Sequence, residues 1–192
     1  MPDPSESGDL PEYARRVSLC AGRYVVEVHP GHLSTFDHLA SVARLVDVTD
    51  LRSSEGRPCS VVVSENGKTV LVTSFRYQLH GGLGPAVALL PEVHRLFVGA
   101  GEELFCYDLA EPKRLWRDNA DTGLWGWEIA GATVLMSAEL EFAAWDKAGE
   151  KLWSTFVEPP WSYTVADDQV TLDVMGEISQ FNLRTGPSRT PH

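Results

Sequence analysis

The sequence predicts an all-β chain of small four-stranded antiparallel sheets, and three observations carry that expectation. The run Glu103–Asp108, followed by Arg114-Leu115-Trp116, returns as Glu141–Asp146 with Lys151-Leu152-Trp153, and again as Glu177–Asn182 ending at Gly186. The steps are 38 residues from Tyr107 to Trp145, 37 from Trp116 to Trp153 and 36 from Trp145 to Phe181. A short apolar run precedes each copy: Leu96-Phe97-Val98, Val134-Leu135-Met136 and Val170-Thr171-Leu172. Finally, the 12 Pro and 16 Gly sit mostly between apolar runs, which marks many turns between short strands.

A unit of this length holding four short strands has the size of one propeller blade. A single four-stranded sheet cannot cover both of its faces, whereas successive sheets stacked around an axis cover one another. The expected architecture is therefore a β-propeller, or a partial propeller-like arc, of about four small four-stranded blades. Large rings such as Trp116, Trp145 and Trp153 suit the space between blades.

Element by element, residues 1–12 read as a disordered lead, polar and acidic. Residues 13–20 read equally as a short strand or a helical turn. Arg-Tyr-Val-Val-Glu-Val-His at 23–29 is rich in β-branched residues and predicts a strand ended by Pro30-Gly31. Over 34–51 the apolar spacing of Phe36, Leu39, Val42, Leu45 and Val46 favours a helical turn, with Ser34 or Thr35 as N-cap, leading into a strand. Residues 60–64 and 69–75 form two strands joined at Asn66-Gly67, a pair that tolerates the positive φ of a type I′ turn. Strands follow over 86–90, 95–99 and 103–108, and the repeats continue to Gly186. The domain plan is a lead (1–12), one domain (13–186) and a tail (187–192).

The best copy of the repeat is Phe142-Ala143-Ala144-Trp145-Asp146-Lys147-Ala148-Gly149-Glu150-Lys151-Leu152-Trp153. It resembles the PQQ-type (quinoprotein-alcohol-dehydrogenase-like) propeller repeat, with the WD40 pattern as competitor. The resemblance covers roughly residues 86–186 and implies that Asp146 and Gly149 shape a hairpin while Trp153 packs between sheets. In the first copy Ala110-Glu111-Pro112 replaces the glycine turn, and in the third Asn182 replaces Asp and the closing Leu-Trp is missing. It implies a scaffold and not the dehydrogenase reaction, because no set of cofactor-binding residues accompanies it.

The formal net charge is −11, from 16 Lys and Arg against 27 Asp and Glu. Such a surface repels phosphate backbones and anionic membranes, so neither nucleic acid nor membrane is the expected partner. It steers toward a basic protein. Cys20, Cys59 and Cys106 form no CxxC pair and fit reduced, mostly buried thiols. With a polar, acidic start and no apolar run long enough for a span, the expected location is the cytoplasm.

Candidate chemistry is sparse. His29, His32, Asp37 and His38 match no metal-site spacing and read as a polar loop. His80-Gly81-Gly82 lacks the Gly-x-Ser-x-Gly partner of a hydrolase and reads as a loop. Gly99-Ala100-Gly101 reads as a hairpin turn, as do Asp167-Asp168, while Asp118, Asn119 and Asp121 lack EF-hand spacing. No enzyme activity and no cofactor are expected. The binding candidates are Trp125, Trp127, Trp161 and Tyr163, at equivalent entry points of successive repeats, in the loop leading into the innermost strand; Trp127 to Tyr163 is a step of 36. Trp and Tyr concentrate at binding hot spots, and the same rings also serve as packing between blades. The expected function is a non-catalytic binding module for a protein partner, in sharper form an immunity or antitoxin-type protein that neutralises a basic toxin. The alternative is a small-ligand-binding propeller that stacks a carbohydrate or quinone-like ring on the tryptophans.

Overall fold

A computed structural model describes residues 16–49, 55–78 and 83–188. The predicted lead and half of the loop at 80–85 lie outside the described residues. Among the described residues four sheets succeed one another along the chain, antiparallel apart from one parallel pair in sheet 1. Sheet 1 contains β1 (Val17–Ala21), β2 (Tyr24–Pro30), β3 (Leu45–Val48), β4 (Arg57–Glu65) and β5 (Lys68–Tyr77), in the order β1-β2-β4-β5-β3. Sheet 2 is β6 (Ala86–Leu90), β7 (Arg95–Ala100), β8 (Glu103–Asp108) and β9 (Lys113–Asn119). Sheet 3 is β10 (Leu124–Ala130), β11 (Thr133–Ala138), β12 (Glu141–Asp146) and β13 (Lys151–Phe156). Sheet 4 has three strands, β14 (Trp161–Ala166), β15 (Gln169–Val174) and β16 (Glu177–Asn182).

The core is three apolar layers, one between each pair of neighbouring sheets. Tyr24, Val61, Leu71 and Phe75 of sheet 1 meet Leu96, Val98 and Phe105 of sheet 2. Phe97, Leu104 and Cys106 meet Leu124, Met136 and Trp145. Leu135, Phe142 and Trp153 meet Trp161, Leu172 and Phe181. The first strands β6 and β10 pack against each other, as the inner strands of adjacent blades do. These sheets form an open, propeller-like arc. At its last face the alternation turns polar: Ser162, Thr164, Thr171, Asp173 and Gln180 share the outer side of sheet 4, with Ile178 the apolar exception. A polar outer face ends a stack, because it offers no apolar area to a further sheet.

The repeat has a structural meaning at each position. Tyr107, Trp145 and Phe181 each turn back toward the preceding sheet. The Asx residue behind each of them closes the following turn: Asp108 Oδ1 accepts from Ala110 N, Asp146 Oδ1 from Glu150 N and Asn182 Oδ1 from Arg184 N, each at 2.9 Å. Asn182 thus performs the role of the aspartates, since either side chain can accept a backbone N–H. Asn66 and Gly67 make the predicted hairpin turn at φ 48° and 77°, and Asp167 and Asp168 turn at φ 48° and 60°.

Sheet 1 departs from the expected four-stranded pattern. Within the predicted stretch 34–51, the described residues 34–49 fold into a helix, α1 (Phe36–Val42), and then β3, but β3 lies parallel to β5 at the sheet edge. Asp47 explains the placement. It accepts hydrogen bonds from Tyr107 Oη at 2.9 Å and Arg114 Nη1 at 3.0 Å, which clamps β3 to sheet 2. Thr35 is the N-cap residue, without a side-chain cap bond. Cys59 and Cys106 are buried as expected, whereas Cys20, on the edge strand β1, is exposed.

Candidate binding surface

The turns at one end of sheets 2–4 are tied together by backbone hydrogen bonds. Ala120 N donates to Glu102 O, Leu124 N to Gly101 O, Leu140 N to Asp121 O, Val157 N to Leu140 O and Met175 N to Pro160 O, at 2.7–3.2 Å. This end is therefore one continuous surface rather than a set of independent loops. It carries Glu102, Asp121, Glu139 and Glu158, with Glu177 beginning the strand that leaves it. Successive steps between these five carboxylates are 19, 18, 19 and 19 residues, half the length of the repeat. The cause is geometric: a four-stranded meander brings the chain back to the same end twice per repeat, once between sheets and once inside the sheet. No Lys or Arg occurs in the turns at 101–102, 120–123, 139–140, 157–160 or 175–176. Sequence reasoning missed this ladder; half the known period was the signal that finds it.

The four aromatic candidates lie within the first strands β10 and β14, not in the loops before them, and divide between two core layers. A β-bulge between Leu124 and Gly126 makes Trp125 the extra residue of β10. Trp125 consequently faces sheet 4, while Trp127 faces sheet 2, although strict alternation would put both on one side. Trp127 lies against Phe97 at 5.4 Å and Trp145 at 5.5 Å between ring centres. Its buried Nε1 finds no acceptor among the described residues.

The other three come together. Trp125 stacks on Trp161 at 5.2 Å and 14°, and Trp161 on Tyr163 at 6.0 Å and 23°. Trp161 is 9% exposed and donates from Nε1 to Glu139 O at 3.3 Å, which fixes the stack to the acidic end. Tyr163 Oη donates to Glu128 Oε2 at 2.6 Å; burial and this carboxylate push the phenol well above its ordinary pKa. Trp125 and Tyr163 keep part of their rings accessible. Beside Trp161 opens a depression of about 370 Å³ lined by Pro160, Ser162, Asp173, Met175 and Gly176. Met175 is 63% exposed there.

No group of three or more His, Cys, Asp or Glu side chains that could hold a metal occurs among the described residues. Burial, reinforced by Arg16, holds His29 below the usual imidazole pKa. Asp118 is paired with Lys151 at 2.8 Å. His80 to Gly82 lie outside the described residues. No helix among them is long and apolar enough to cross a membrane.

No family model and no curated protein matches the chain. Among solved structures, the β-propeller domain of the Trilobed protease from Pyrococcus furiosus, described as having an open velcro topology, aligns with a TM-score of 0.46 and 11% identity. That alignment covers 85% of this chain and 49% of that one. BamB from Moraxella catarrhalis aligns with a TM-score of 0.42 and 13% identity over 86% of this chain and 62% of that one. The computationally designed Ika8 protein gives 0.43 and 13% over 91% and 60%. The chain thus spans about half to three-fifths of the length of these structures.

Proposed function

We propose that the chain is a non-catalytic binding module that receives a basic protein partner on the acidic turn end of sheets 2–4. The observation that carries this reading is the ladder of five carboxylates on a surface whose turns hold no Lys or Arg. A rigid array of like charges is unfavourable for the isolated molecule, and a cationic partner relieves it while gaining a steered association rate. The accessible rims of Trp125 and Tyr163 and the depression beside Trp161 add apolar area next to the charges, the combination from which hot spots are built. Neutralisation of a basic toxin is one form of this function. The PQQ-type character of the repeat supports the scaffold only, through the hairpin formed by Asp146 and Gly149.

The test is a variant carrying Glu102→Gln, Asp121→Asn, Glu139→Gln and Glu158→Gln. It should keep the wild-type unfolding temperature and lose the partner that wild type retains at low salt; retention by both would remove the basis for this reading. The depression beside Trp161 favours a second reading, a stacking small ligand, which would quench tryptophan fluorescence saturably.

A further inference from the structure

Among the described residues sheet 4 has three strands, one fewer than sheets 2 and 3. In sheets 2 and 3 the fourth strand begins at Lys113 and Lys151, five residues beyond Asp108 and Asp146. Five residues beyond Asn182 stands Pro187, and no strand is formed over 187–188, the last described residues. Among the described residues no strand pairs with the outer side of β16, and Glu177, Ile178, Ser179 and Gln180 are all exposed. Next to this edge runs a groove of about 610 Å³, lined by Leu152, Trp153 and Ser154 of β13 and by Thr185, Gly186 and Pro187. Unpaired strand edges are templates for another strand.

Lys151 also lines the groove but is paired with Asp118 at 2.8 Å and Glu141 at 3.6 Å, and the charge of sheet 4 itself is one-sided. From Ser154 to Leu183 the chain has no Lys, Arg or His and five carboxylates: Glu158, Asp167, Asp168, Asp173 and Glu177. A second copy of the chain is opposed by its own net charge of −11.

We propose that β16 is a docking edge that takes an extended basic segment of the partner protein as the fourth strand of sheet 4. Main-chain hydrogen bonds supply the pairing, and alternate side chains read the two faces. Positions opposite Ser179 and Phe181 point toward sheet 3, where Trp153 lies 5.4 Å from Phe181, and take apolar side chains. Positions opposite Ile178 and Gln180 emerge on the outer face beside Asp173 and take Lys or Arg. The proposal rests on the reading of the chain as a protein-binding module, but it uses the strand edge rather than the turns, sharing Glu158 and Glu177 with the turn end.

The test uses the full chain and a peptide of alternating Val and Lys, about ten residues long to exceed a typical strand. Its control has the same sequence with every second amide N-methylated, which keeps the charge and removes the ladder. Amide exchange is read by mass spectrometry. The plain peptide should slow exchange over Glu177–Asn182 and the methylated one should not. Asp173→Asn with Glu177→Gln should weaken binding about tenfold, while Glu102→Gln, Asp121→Asn and Glu139→Gln together leave it unchanged. Equal binding of both peptides, or protection confined to other strands, overturns the proposal. Protection of β16 that rises with protein concentration without peptide, together with a dimer in sedimentation, overturns it in favour of self-pairing. Failure at the turn end reads out separately, as an unchanged partner on the turn variant.

Discussion

Trp153 of β13 donates from its indole Nε1 to the backbone carbonyl of Leu183 at 2.8 Å, joining the last strand of sheet 3 to the turn that follows sheet 4. One repeat earlier, Trp116 of β9 makes the same kind of bond to Gly149 O. Each indole also meets the third-strand ring of the next sheet: Trp116 stacks on Trp145 at 5.6 Å, and Trp153 stands edge-on to Phe181 at 5.4 Å. The repeated Leu-Trp is therefore an inter-sheet bracket with an apolar body and a polar tip.

The bracket requires a glycine opposite the indole. Gly186 sits at φ +74°, and a Cβ there would lie 2.7 Å from Trp153 Cβ and closer still to the ring. Gly186→Ala should cost about 3 kcal/mol, combining left-handed strain and overpacking. Gly131→Ala, at φ +58° but in open space, should cost only about 1 kcal/mol. Urea unfolding of both variants checks the difference.

Trp153→Phe keeps most of the apolar body and leaves the Leu183 carbonyl without its donor. The expected loss is about 2 kcal/mol, with faster amide exchange across sheet 4 and little change in sheet 1. A uniform loss of protection in all four sheets would mean that the bond is not a local bracket.

The clamp on β3 predicts a second local effect. Asp47 receives both Tyr107 Oη and Arg114, and Tyr107 Oη lies 3.0 Å from Thr73 Oγ1, which is placed to donate to it. Asp47→Ala should cost about 2 kcal/mol and release β3 first, seen as rapid exchange of Leu45–Val48 while β4 stays protected.

Burial pushes Cys59 and Cys106 from an ordinary 9.0 to about 12. The folded state keeps both thiols neutral, so their contribution to stability is fully present below pH 9.0 and falls as the pH rises toward 12. Tyr107, raised by burial, acts in the same direction. Stability should therefore fall over this alkaline window. At neutral pH one thiol, the exposed Cys20, should react with a disulfide reagent in the native protein and all three should react after denaturation.

The sheets, their turns and the ring positions of the repeat were legible because strand periodicity and Asx or Asn-Gly turn chemistry are local. Asn182 read correctly as a repeat position even without its aspartate. The parallel placement of β3 was not legible, since it depends on Asp47 meeting side chains about 60 residues away. Nor was the split between Trp125 and Trp127, because one bulge residue reverses the alternation. The carboxylate ladder was hidden at half the repeat, where each member alone looks like an ordinary turn residue.

The most direct measurement is affinity purification at low salt with wild type and the four-fold turn variant in parallel, with the recovered proteins quantified by mass spectrometry. The account predicts a stoichiometric basic protein with wild type, released as salt is raised and missing from the variant. Recovery of the same protein by both chains, or of none by wild type, would contradict it.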